Sequence, residues 1–163
     1  MKRIGIVLSL IIMLGMGVAN AHLTKGTDDF TQGQRISSQN DVAGQIDSIL
    51  LTKIINLDSV EYEISINKRT TKEFALAKTT IEIKVDNNPS RKFSIQNIQA
   101  IPTGEPFIYS YHAKASIDKD LVDEFKNAKR IAIRTELVNG WQPVIVLREY
   151  ILNEWKEVIA TEK

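Results

Sequence analysis

The chain has 163 residues, 21 lysines and arginines against 20 aspartates and glutamates, and 43% hydrophobic residues. That composition fits one soluble domain and excludes collagen, coiled-coil rods, multi-span membrane proteins and acidic disordered tails. The near-zero net charge argues against a dedicated nucleic-acid binder, and the absence of cysteine excludes disulfides, thiolate metal centres and cysteine nucleophiles.

Residues 1–21 stand apart. Lys2 and Arg3 are followed by an uncharged, almost wholly apolar run from Ile4 to Val18, then by Ala19-Asn20-Ala21. Small residues at both ends of that tripeptide are what signal peptidase reads, so the pattern predicts a secretory signal peptide. The run is shorter than the about 20 apolar residues of a membrane span. Cleavage after Ala21 is expected to deliver the chain to the periplasm or the medium, with no membrane attachment afterwards; an uncleaved anchor is the alternative. Removal of residues 1–21, with Lys2 and Arg3 among them, leaves 142 residues with 19 basic and 20 acidic side chains, a formal charge of −1. A domain of that size buries roughly two thirds of its unfolded surface, so it folds on its core without covalent staples.

His22 to Asn40 is polar and without a sustained period, and reads as a flexible N-terminal segment. Residues 41–163 read as a single domain. Over Asp41–Leu57, Val42, Ile46, Ile49, Leu50 and Ile54 fall at helical spacing, with Asn40 or Asp41 as cap. The spacing favours a helix, although Ile49-Leu50-Leu51 and Ile54-Ile55 also suit a buried strand.

From Ser59 the period is two: Val60, Tyr62, Ile64 and Ile66 alternate with polar residues. Lys68–Lys72 reads as a turn, and Phe74–Val85 as a second strand. Asp86 to Ser90 is a turn by composition. Phe93 and Ile95 resume the alternation, which slips by one at Ile98, as a bulge near Gln96 and Asn97 would cause. Pro102, Gly104 and Pro106 mark a rigid loop. Phe107 to Ile117 alternates without a break. Asp118 or Asp120 caps a short helix with Leu121, Val122, Phe125 and Ala128 as its apolar stripe. Ile131–Val138 is a strand, Asn139-Gly140 a hairpin turn, and Trp141–Leu147 the return. Pro143 leaves the register of this hairpin open, since proline lacks a donor. Ile151, Trp155, Val158 and Ile159 make a terminal amphipathic helix.

Sequential strands joined by short turns imply an antiparallel meander. The expected fold is α+β: a single curved, mainly antiparallel sheet of about six strands covered by two or three helices. A β-sandwich with peripheral helices is the alternative.

Chemical motifs are few. The chain has no Gly-rich phosphate loop, nucleophile elbow or His-Glu-x-x-His, and two histidines are too few for a three-histidine zinc site. After cleavage His22 would be the first residue. Its amine and imidazole, joined by His112, could ligate copper through three nitrogens. Ser110, His112 and Lys114 share one strand face, but residues two apart lie roughly 7 Å apart at Cα, too far for a nucleophile–base pair. Tyr109 and Tyr111 fall on the presumed core face, where a curved sheet would make a pocket of them; with His112 and Trp141 they are the candidate ligand-binding residues. Lys126, Lys129 and Arg130 complement a helix dipole.

By elimination, the expectation is an exported, non-catalytic binding or interaction domain of the bacterial cell envelope. Its partner would be an envelope protein or a small ligand, without nucleic acid and without a cofactor. A copper-binding protein and a small secreted hydrolase are the alternatives.

Overall fold

The computed structural model describes residues 23–27, 33–42, 48–70, 80–102, 109–137, 140–141 and 144–162. The expected signal peptide, His22 and the loop around Gly104 and Pro106 lie outside them. The strands are β1 (Leu23–Thr27), β2 (Gln34–Asp41), β3 (Ser48–Ile55), β4 (Val60–Thr70), β5 (Thr80–Val85), β6 (Arg91–Ser94), β7 (Asn97–Pro102), β8 (Tyr109–Ile117), β9 (Ile131–Leu137), β10 (Gly140–Trp141) and β11 (Ile145–Val146). The helices are α1 (Lys119–Asn127) and α2 (Glu149–Ala160).

The fold is α+β and mostly strand, but the strands form two antiparallel sheets rather than one. The first runs β1-β2-β3-β4-β8-β7, and the second runs β10-β9-β5-β6 with β11 also on β9. The division happens at residues 95–96. The backbone N–H of Gln96 donates to the Lys114 carbonyl at 2.8 Å, and Asn97 then pairs with Lys114. Within two residues the chain leaves the edge of one sheet and joins the edge of the other. The slip in alternation at Ile98 therefore marks a corner between sheets rather than a bulge within a strand.

Residues 48–55, expected to be helical, form β3 between β2 and β4. Ile49, Leu51, Lys53 and Ile55 are buried on one face, and Ser48, Thr52 and Ile54 on the other. A strand covered on both faces loses the period of two, so its apolar spacing also satisfies a helix. Residues 34–41, expected in the flexible segment, form β2. Its alternation is real: Ile36, Ser38 and Asn40 are buried while Arg35, Gln39 and Asp41 are exposed. Two of the three inward positions are polar, which hid the pattern. β4 also runs three residues into the expected turn, where Lys68 pairs with Tyr111 and Thr70 with Tyr109.

Both sheets and both helices share one core. Asp118 caps α1, its Oδ1 accepting the Leu121 N–H at 2.7 Å. Leu121, Val122 and Phe125 turn inward. α2 packs on β2 and β3, and α1 packs on α2 and β4. Phe125 and Trp155 meet at 5.5 Å between ring centroids. Both helices pack against strands of the first sheet and against each other. Arg91 at the edge of the second sheet reaches α1, donating to Asp118 at 3.1 Å and to Glu124.

Polar side chains also anchor α2. Ser38 Oγ and Asn40 Nδ2 donate to Glu154 Oε2 at 2.7 and 2.9 Å. Lys53 Nζ donates to the carbonyls of Ile159 and Thr161 at 2.8 and 2.7 Å. A lysine thereby satisfies carbonyls that the end of the helix leaves without intrahelical donors. Burial holds the Lys53 ammonium below the usual lysine range.

In the last hairpin, Gly140 pairs with Leu137 and Ile145 with Ile133. The return strand advances by five residues while β9 advances by four, so the register shifts by one between Trp141 and Ile145. The β11 pairing is the one that places Ile145 beside Ile133. Gln142 and Pro143 lie outside the described residues.

Candidate functional site

The aromatic candidates divide between the sheets. Tyr109, Tyr111 and His112 are on β8 of the first sheet, and Trp141 is on β10 of the second. The side chains of Tyr109, Tyr111 and Trp141 lie outside the description. His112 is half-buried, opposite Asn67 on β4 and Gln99 on β7. Its outward-facing neighbour Lys114 lies 3.9 Å from Glu63, a weak, partly exposed pair. Leu23, which follows His22, starts β1, and β2, β3 and β4 stand between β1 and β8. His22 itself lies outside the described residues. Among the described residues no group of three or more His, Asp or Glu side chains is placed to hold a metal, and no helix is long and apolar enough to cross a membrane.

A different constellation lies on the outer face of the second sheet. β5 and β9 pair so that Glu82 is opposite Arg134 and Lys84 is opposite Ala132. Alternation turns Ile81, Ile83, Ile131 and Ile133 into the core and leaves Glu82, Lys84, Arg130, Ala132 and Arg134 on the other face. Arg134 Nε donates to Glu82 Oε2, and Ser90 Oγ donates to Glu82 Oε1 at 2.5 Å.

These residues border a groove of about 360 Å³ that Val144 also lines. Ala132 forms the floor because its methyl group is short where Lys84, Arg130 and Arg134 are long. Three cations and one carboxylate give the lining a formal charge of +2. The whole chain carries only +1, so this is a local concentration of positive charge.

The turn after β5 positions Arg130. Asp86 adopts the left-handed conformation at φ 48, which short polar side chains tolerate. Its Oδ1 accepts the N–H groups of Lys129 and Arg130 at 3.1 and 2.7 Å, and its own N–H donates to the Arg130 carbonyl at 2.9 Å. Arg130 lies beyond the end of α1 and borders the groove. Lys126, by contrast, is within the helix and pairs with Asp123 at 2.6 Å.

The Arg134 guanidinium, with the Ser90 hydroxyl beside it, holds the Glu82 carboxyl below its ordinary value. A carboxylate depressed in the folded state stabilises the fold above its unfolded pKa, and that contribution is lost as pH falls through the folded pKa. The difference in melting temperature between the native protein and Glu82→Gln should therefore be widest near neutrality. It should narrow from about pH 5 downward. A gap that stays constant across that range in thermal melts would show that Glu82 is not held in this way.

The sequence contained these residues but not their meeting. Glu82 and Arg134 are 52 positions apart, and each alone reads as a solvated strand position. The readable signal was the alternation itself, with Glu82 and Lys84 on one strand and Arg130 and Arg134 on another sharing the polar phase.

A second recess, of about 450 Å³, lies at the turn from β3 to β4. Leu57 and Val60 there are 79% and 51% exposed. It has no comparable gathering of charge of one sign.

No family model and no curated protein matches the chain. Among solved structures, the chain is similar to the crystal structure of invasion associated protein B from Bartonella henselae. The match has 16% identity and a TM-score of 0.47, over 85% of this chain and 89% of that one.

Proposed function

We propose that this chain is an exported, non-catalytic binding domain of the bacterial cell envelope, engaging its ligand through the groove on the second sheet. The groove carries the binding half of this proposal: a recess of small-molecule size with a formal charge of +2 on a nearly neutral chain. Pockets of roughly 300–1,000 Å³ with a few convergent polar groups are the usual form of ligand sites. The export half rests on Lys2 and Arg3, the apolar run to Val18 and Ala19-Asn20-Ala21.

Export is tested by fractionating cells that express the full chain and sequencing the product by mass spectrometry. The expected product starts at His22 and is found outside the cytoplasm. Intact precursor in the cytosol would overturn the proposal. Its non-catalytic part fails if the purified protein shows a saturable hydrolytic activity that His112→Ala abolishes.

A further inference from the structure

We infer that the groove between β5, β9 and β11 binds a small ligand through a dianionic phosphate group, an inference that rests on the binding-domain proposal above. Charge is the first ground. Lys84, Arg130 and Arg134 outnumber Glu82 by two, and Glu82 is already engaged by Arg134 and Ser90. A phosphate monoester, which carries close to two negative charges at neutral pH, balances that surplus. A simple carboxylate would leave half of it.

The register is the second ground. Ala132 is opposite Lys84, and Arg130 and Arg134 lie two residues to either side of it, each roughly 7 Å away along the strand. Cationic side chains therefore stand around a methyl floor on three sides. Neither Lys84 nor Arg130 has an ion pair among the described residues. Arginine presents a planar fork of donors to phosphate oxygens and lysine a compact charge, so the lining combines both modes.

The third ground is the seat already present. The Glu82 carboxylate receives one donor on each oxygen, from Arg134 and from Ser90. That pairing fixes the Arg134 guanidinium at the groove wall before any ligand arrives, which lowers the ordering cost of binding. Val144, 54% exposed, offers an apolar surface to the body of the ligand. The volume exceeds that of a bare anion and suits a phosphorylated small molecule.

The test is calorimetric titration of the purified chain with glycerol phosphate, inorganic phosphate and acetate, and with phosphatidylglycerol vesicles. Glycerol phosphate and inorganic phosphate should saturate, with acetate at least roughly tenfold weaker. The double variant Lys84→Ala/Arg130→Ala should weaken phosphate binding by roughly tenfold or more, given the strength of charge-assisted hydrogen bonds. Ala132→Leu keeps every cation but fills the floor, and should cause a comparable loss with its melting temperature close to that of the native protein. Acetate binding as tight as phosphate, or unchanged binding in both variants, would overturn the inference. So would vesicle binding without binding of the free phosphomonoester, which would mark a lipid surface instead. A processed, exported chain that ignores phosphate would defeat the ligand assignment alone. A cytosolic precursor that still binds phosphate would defeat the export proposal and leave the groove assignment standing.

Discussion

Replacing Trp155 with alanine should lower stability by about 3–5 kcal/mol, the cost of deleting a large aromatic side chain from a packed core. Trp155 is fully buried, and its ring stands 5.5 Å from that of Phe125. It joins α2 to α1 at the centre of the core shared by both sheets. The loss is a large share of the roughly 5–15 kcal/mol typical of a domain. At roughly 2–4 °C per kcal/mol for a chain of this size, the melting temperature should fall by roughly 6–20 °C. Trp155→Phe gives the contrast. The indole Nε1 is buried without a hydrogen-bond partner among the described residues, so its removal costs no hydrogen bond, and a ring remains against Phe125. That variant should lose far less than alanine. Equal losses in thermal melts of the two variants would show that aromatic packing at this position is not what holds α2.

Glu154→Ala should cost about 2–3 kcal/mol, because it strands buried donors rather than removing apolar contacts. Ser38 and Asn40 are 0% and 1% exposed, and Glu154 is 8% exposed. Both donors converge on one carboxylate oxygen, and Asn40 Nδ2 also donates to Ser38 Oγ at 2.7 Å. Asn40 Oδ1 is buried without a partner among the described residues. Exchanging the whole cluster tests the origin of the effect. A Ser38→Ala/Asn40→Leu/Glu154→Leu variant leaves no polar group behind, and should be considerably more stable than Glu154→Ala. Chemical denaturation of the three proteins would decide it. A triple variant as unstable as the single one would mean that the network contributes through its shape rather than through hydrogen bonding.

These two neighbouring residues show how far local pattern reaches. Trp155 was legible, since it falls on the stripe of Ile151, Val158 and Ile159. Glu154 lies off that stripe, where local pattern places an acid in solvent. Its burial depends on Ser38 and Asn40, 116 and 114 positions away, on a strand that itself read as irregular. The two misreadings have one cause: a polar pair on β2 and an acid on α2 look hydrophilic until they face each other.

The candidate site divides in the same way. Thr80–Val85 and Ile131–Leu137 alternate strongly enough to be recognised as strands, so the phase of each was readable. Which strand lay beside which, and in what register, was not. The groove exists because Lys84 lands opposite Ala132 and Glu82 opposite Arg134. A shift of one residue would have turned these charges into the core. The aromatic candidates lie on β8 and β10, which belong to different sheets, and local alternation carries no information about that division.

By itself the sequence determined the absence of disulfides, the cap and stripe of α1, the terminal helix and the alternation of β4, β5, β8 and β9. Such features depend on neighbours two to four positions away. Only the tertiary structure decided that β3 is a strand, that the chain turns a corner at residues 95–96 into a second sheet, and that scattered cations gather around Ala132. A strand buried on both faces has no period to read, and a pairing between distant strands is selected by the packing of the whole core.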